Sequence, residues 1–213
     1  VDINFWNERW EKNEIAFHMK EINPMIVNHF NELNLSKGKR IFVPLCGKTL
    51  DIKWLLLNEY HIVGIELNKT AIDSLFIDLN IIPTISKYKN FLSYSADNIN
   101  IFVGDFFELT KELIGYIDAI YDRAALVALP EDMRLNYVSH LLDITNVAPQ
   151  LLISYDYDQN IMKGPPFSVP YHEIQLHYLE YYEITLLNEN INIPSGLKRK
   201  SQAKETIWLL KNS

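Results

Sequence analysis

Arg40-Ile41-Phe42-Val43-Pro44-Leu45-Cys46-Gly47-Lys48-Thr49 is followed, after a short interval, by His61-Ile62-Val63-Gly64-Ile65-Glu66-Leu67. Each stretch is a continuous apolar run that stops at a turn, the pattern of a parallel strand buried on both faces. The interval carries Ile52, Leu55 and Leu56 at helical spacing, so strand, helix and strand succeed one another. Similar runs occur at Ile99–Val103, Ile117–Tyr121 and Leu151–Tyr155. Helical patterns separate them. Ile26, Phe30 and Leu33 follow Pro24, and Ile72, Leu75, Phe76 and Leu79 follow Asn68, a suitable N-cap. Pro130-Glu131-Asp132 opens a further helix through Met133, Tyr137, Val138 and Leu141, with acids in the first turn. Beyond residue 155 the pattern changes. Glu180–Leu187 and Glu205–Leu210 read as an antiparallel strand pair at a sheet edge, joined by a loop holding Pro194 and Gly196. The expectation is an α/β chain folded as a three-layer α/β/α sandwich.

Composition sets the outer limits. The chain has 213 residues, 48% hydrophobic and 22% charged, which suits one domain over 1–213 with an aromatic segment at 1–23. One cysteine, Cys46, excludes an intrachain disulfide framework. No apolar run reaches the roughly 20 residues a membrane helix needs. Asp2 stands where a secretory leader carries basic residues, so a cytoplasmic protein without a membrane partner is expected. A net charge of −7 gives no global attraction to nucleic acid. The six histidines show no metal-ligand spacing, and Cys46 has no cysteine partner for zinc, so no metal is expected.

In an open α/β sheet, ligands bind outside the carboxyl ends of the strands. Gly47-Lys48-Thr49 resembles the tail of a phosphate-cradling loop, but Phe42 occupies the position of its first glycine. A dinucleotide fingerprint fails as well, with one of its three glycines present. Glu66 closes the second run at the position where an acid hydrogen-bonds a ribose diol; the alternative is an acid that only assists Asn68 at a helix start. Gly104-Asp105-Phe106-Phe107 suits an adenine edge and its stacked face, or else the two rings are core. Asp122-Arg123 before Ala124-Ala125 permits close approach of another molecule, or else forms a surface ion pair. Phe5-Trp6, Arg9-Trp10 and Phe17-His18 form an aromatic stripe that is either core or a lid. Gly164-Pro165-Pro166-Phe167 is a stiff loop placed to wall a pocket, or simply a connection.

Taken together, these residues resemble the thiopurine S-methyltransferase family, its bacterial branch most closely. The resemblance rests on Trp6…Arg9-Trp10, Phe17-His18, Phe42–Thr49, Gly64–Leu67, Gly104–Phe107, Asp122–Pro130 and Gly164-Pro165-Pro166-Phe167-Ser168-Val169, in the family's order. It implies a Rossmann-like, seven-stranded, mostly parallel sheet with one antiparallel edge strand. It also implies S-adenosyl-L-methionine as methyl donor, a small-molecule thiol as acceptor, and a monomer. By resemblance Trp10, Leu45, Glu66 and Arg123 contact the cofactor, and the turn from Leu45 to Gly47 approaches its methionine part. Asp105 joins them as a cofactor contact. Arg123 lies between cofactor and acceptor as the catalytic residue, with Phe17, Phe167 and Arg199 as further acceptor contacts. Arg199 stands between Lys198 and Lys200, so the register of this last position is open. Thiopurines, related aromatic or heterocyclic thiols, and selenium or tellurium compounds are the expected acceptors. Two rival readings remain at this point: a cofactor-binding protein without turnover, and a nucleotide-dependent oxidoreductase, which would share Glu66 but lacks the glycine-rich turn.

Overall fold

Nine strands join in one sheet in the computed structural model, which describes residues 8, 9, 12, 19, 21–190 and 203–212. They are β1 (Arg40–Val43), β2 (His61–Glu66), β3 (Thr84–Tyr88), β4 (Phe91–Ala96), β5 (Ile99–Val103), β6 (Ala119–Arg123), β7 (Gln150–Asp156), β8 (Glu183–Asn190) and β9 (Lys204–Lys211). Their order across the sheet is β3-β4-β5-β2-β1-β6-β7-β9-β8. Strands β5, β2, β1, β6 and β7 pair in parallel and correspond to the five apolar runs. The helices are α1 (Pro24–His29), α2 (Asp51–Leu57), α3 (Lys69–Leu79), α4 (Lys111–Ile114), α5 (Glu131–Thr145) and α6 (Tyr171–Tyr178).

Residues alternate between the two faces of the sheet, as a period of two requires. Ile41, Val43, Ile62, Ile101, Tyr121, Leu151 and Ile153 pack with Ile26, Ile52 and Leu75 of α1, α2 and α3. Phe42, Val63, Ile65, Phe102, Ile120 and Leu152 pack on the other face with Tyr137, Leu141 and Ile174 of α5 and α6. The sandwich therefore has three layers, as expected. Asn68 caps α3, its side chain accepting the Ala71 N–H at 3.0 Å.

Two details correct the seven-stranded expectation. A hairpin, β3–β4, extends the sheet beyond β5, with a two-residue turn that places Lys89 at φ 51°. Phe91 of this hairpin lies against Gly104 so closely that a Cβ there would meet its ring at 2.5 Å. The terminal pair is antiparallel and at the edge, but the reversed strand β9 lies inside, between β7 and the outermost β8. Strand β4 is reversed as well, so the sheet has two such strands.

Candidate active site at the carboxyl ends of the strands

The chain runs from β1 outward through β2 to β5 on one side, then returns to lay β6 and β7 on the other. The switch point falls between β1 and β6, where this class of sheet opens a crevice. The turn after each strand holds a residue in the left-handed region, Leu45 at φ 44° after β1 and Ala124 at φ 62° after β6. A leucine there costs about 1–2 kcal/mol, and such strain persists only where surrounding contacts impose it.

Glu66 supplies those contacts. It is buried at the tip of β2, and its Oε2 accepts the Gly47 N–H at 2.8 Å while Oε1 accepts the Asn68 N–H at 2.9 Å. The Cys46 N–H continues the ladder by donating to the Ile65 carbonyl at 2.9 Å, which ties the turn to β2. Burial raises the Glu66 pKa, and the N–H groups of Asn68, Gly47 and Leu67 partly oppose the rise. An ionised carboxylate offers about four acceptor sites, so capacity remains after the backbone is served. The helix-start role and the ligand role are thus compatible in one side chain. Cys46 lies in the apolar layer below, where burial and the neighbouring Glu66 push its thiol well above the usual range.

Asp122 and Arg123 are both buried, which excludes the surface ion pair, and their adjacency in β6 sends them to opposite faces. Asp122 accepts the Leu126 N–H at 3.1 Å and the Tyr137 hydroxyl at 2.7 Å, and burial raises its pKa to about 6. It secures the turn after β6. Arg123 shares its face with Tyr121, whose hydroxyl donates to Asp51 Oδ2 at 2.9 Å. Asp51 Oδ1 accepts the Asn23 N–H at 2.8 Å, and Asn23 Nδ2 reaches Glu205 Oε1 at 3.5 Å. Glu205 also accepts the Tyr155 hydroxyl at 3.2 Å. Burial alone would lower the Arg123 pKa, but Asp51, Tyr155, Tyr121 and Glu205 more than offset that, so the guanidinium stays charged.

The loop after β7 closes against the turn after β6. The Phe167 N–H donates to the Val127 carbonyl at 2.7 Å, and the Tyr157 hydroxyl donates to the Pro166 carbonyl at 2.5 Å. Arg134, buried on α5, donates to the Leu129 carbonyl at 2.9 Å and the Ser168 carbonyl at 3.2 Å. It pairs with Glu173 at 2.5 Å, and its guanidinium lies 5.7 Å from the Phe167 ring centroid. The loop at Phe167 is therefore held in place rather than loose.

Leu45, Gly47 and Glu66 thus form one constellation, with Arg123 at the end of β6, one strand beyond β1. Asp105 stands at the tip of β5, where its side chain accepts the Phe107 N–H at 2.9 Å. Phe106 is core, packed on Tyr137 with ring centroids 4.9 Å apart, whereas Phe107 is exposed. Trp10, Phe17 and Arg199 lie outside the described residues. Sequence reasoning missed Asn23, Asp51, Arg134 and Glu205. An acid opening α2 reads as a generic helix-start residue, and nothing local marks Glu205 as its neighbour. Among the described residues, no group of three or more His, Cys, Asp and Glu side chains is placed to hold a metal ion. Likewise, no helix among them is long and apolar enough to cross a membrane.

The fold is that of S-adenosylmethionine-dependent methyltransferases. One solved example, from Anabaena variabilis, superposes with a TM-score of 0.67 at 14% identity, covering 100% of this chain and 96% of that one. The thiopurine S-methyltransferase (TPMT) family model matches residues 1–213. Thiopurine S-methyltransferases of Acinetobacter baylyi and Teredinibacter turnerae are 48% and 46% identical over 210 residues. The first alignment covers 97% of this chain and 96% of the relative, the second 99% and 97%. The chain belongs to the thiopurine S-methyltransferase family, and it is an enzyme that uses S-adenosylmethionine as methyl donor.

Proposed function

We propose that the chain transfers the methyl group of S-adenosylmethionine to the sulfur of small aromatic or heterocyclic thiols, thiopurines among them. The observation that carries the cofactor half is Glu66, whose two oxygens are fixed by the Gly47 and Asn68 N–H groups and keep acceptor capacity for a ribose diol. In this reading the turn from Leu45 to Gly47 lies against the amino-acid end of the cofactor, and Asp105 lies near the adenine. Trp10 contacts the cofactor, and Phe17 and Arg199 contact the acceptor, as the family resemblance implies.

When bound, the cofactor supplies an electrophilic methyl group on a positively charged sulfur. The chain's own task is to hold and dry the site. Charge cancels as thiolate and sulfonium meet, so excluding water helps more than a strong base does. An aromatic thiol ionises near neutrality without a dedicated base. The Arg123 guanidinium donates hydrogen bonds to the resulting sulfur anion or to a ring nitrogen. Phe167, held by Val127 and Arg134, walls the acceptor side. Positioning of this kind is worth on the order of 7–11 kcal/mol.

Selenium and tellurium nucleophiles fit the same scheme, since they are softer still than sulfur. We read the chain as one catalytic unit acting as a cytoplasmic monomer without nucleic-acid or membrane partners, in keeping with its −7 charge. Calorimetry with S-adenosylmethionine, S-adenosylhomocysteine and NAD tests the cofactor assignment. Methyl transfer to a panel of thiopurines, aromatic thiols and reduced selenium compounds tests the acceptor. Binding of NAD alone, or cofactor binding with no transfer to any thiol, overturns the proposal.

A further inference from the structure

Among the described residues, the carboxyl end of the sheet carries three buried acids, Glu66, Asp51 and Glu205, and one buried base, Arg123, on the face that holds α1 and α2, and the scheme above uses only Glu66 and the base. Arg123, Asp51 and Glu205 are each less than a tenth exposed, at 8%, 1% and 4%. Neutral donors fix both acids: Asn23 N–H and Tyr121 hydroxyl on Asp51, Tyr155 hydroxyl and Asn23 Nδ2 on Glu205. Held in this way, neither carboxylate can turn out to solvent. Strand register keeps the group together. Arg123 stands opposite Ile153 on β7, two residues before Tyr155, which stands opposite Glu205 on β9. Only β7 separates β6 from β9, a span of about 10 Å at the usual strand spacing. Among the described residues, Asp51 and Glu205 outnumber the one buried base near them, a surplus of negative charge beside the switch point.

S-adenosylmethionine and its product S-adenosylhomocysteine share adenine, ribose and amino-acid end. They differ by one methyl group and by the positive charge on sulfur. A fixed negative surplus therefore acts on the first and has little hold on the second. We propose that Glu205, together with Asp51, is a specificity-determining residue for cofactor charge, favouring the sulfonium over the neutral thioether. The inference rests on the reading above, in which the cofactor lies over the ends of β1 and β6. Its consequence is that methyl transfer itself removes part of the attraction, easing product departure. Burial raises the Glu205 pKa, partly opposed by Arg123, Tyr155 and Asn23.

The test is the ratio of two affinities. Glu205→Gln keeps an oxygen for the Tyr155 hydroxyl and removes the charge, while Glu205→Asp keeps the charge. Calorimetry would give the affinities of the wild type and both variants for S-adenosylmethionine and S-adenosylhomocysteine. The preference for the sulfonium should fall about three- to tenfold in Glu205→Gln, as expected for unit charges roughly 10–15 Å apart partly screened by solvent. In Glu205→Asp it should stay near the wild-type value. Equal weakening of both ligands, or no change in the ratio, overturns the inference. If Glu205→Gln does not fold, Asp51→Asn decides on the same ratio, with the same fall expected. Failure of the wild type to bind either ligand would instead overturn the cofactor reading.

Discussion

Replacing Glu66 by Gln separates its two jobs. The carboxylate meets two N–H donors, Gly47 at 2.8 Å and Asn68 at 2.9 Å. An amide has one oxygen, so in either orientation its NH2 group faces one of those donors. A buried donor left without an acceptor costs about 1–3 kcal/mol. That cost falls on the folded protein with or without ligand, and should lower the melting temperature by several degrees. The ligand loses separately. Hydrogen bonds from a ribose diol to a charged acceptor contribute about 1.5–3 kcal/mol, so S-adenosylhomocysteine should bind roughly 10- to 150-fold more weakly. Glu66→Asp keeps the charge but shortens the reach, and should fall between. The assay is calorimetry with S-adenosylhomocysteine beside thermal unfolding of the free proteins. A Glu66→Gln variant with a lowered melting temperature and unchanged affinity would refute the reasoning. It would make Glu66 a clamp for the β1 turn and the α3 start, and nothing more.

Cys46→Ser should retain most turnover, since a buried thiol pushed well above its usual range is not a nucleophile, while losing about 1–2 kcal/mol of stability for an added buried hydroxyl. Steady-state kinetics and urea unfolding check both halves, and loss of turnover with binding intact would make the thiol catalytic. Arg134→Ala should cost about 2–4 kcal/mol by stranding Glu173 and two carbonyls, and raise the acceptor KM through Phe167 with little effect on cofactor affinity. An unchanged acceptor KM in that variant removes Phe167 from the pocket. Asp122 bears on pH. Its folded pKa of about 6 lies above its unfolded value, so the native state holds the extra proton. Its stabilising contribution is present below pH 4 and lost as pH rises through 6. The stability of wild type minus Asp122→Asn should therefore fall across that window, by up to about 3 kcal/mol. A flat difference in unfolding free energy across that window would place the Asp122 pKa elsewhere.

The five central strands were legible because both faces are covered, which turns each into an unbroken apolar run. The hairpin β3–β4 was not. All five residues of β3 are exposed, and its turn relies on Lys89 at φ 51° rather than an Asn-Gly or Asp-Gly pair. Thr84, Ile85 and Tyr88 favour extended backbone, but no buried apolar run marks the stretch as a strand. Glu66 was legible because its position at the tip of β2 has a local meaning. The acids around Arg123 had none. Asp51 and Tyr121 are 70 residues apart, and Tyr155 and Glu205 are 50 apart, so only the completed sheet brings them together. Arg134 read as one polar residue on an amphipathic helix, although three of its partners lie beyond the helix itself.

The inward position of β9 also fixes when the protein becomes competent. On the ribosome β7 emerges with its outer edge bare, and β8 follows with no neighbour of its own, because each waits for residues 204–211 to slip between them. Pairings at such long sequence separation form slowly, and they keep strand edges open while they wait. Glu205 arrives on that same strand. A nascent chain can therefore build the turn after β1 and bury Glu66 early, but the buried acids around Arg123 are complete only once β9 is in place. Cofactor added during refolding should accordingly reward the last step of assembly more than the first.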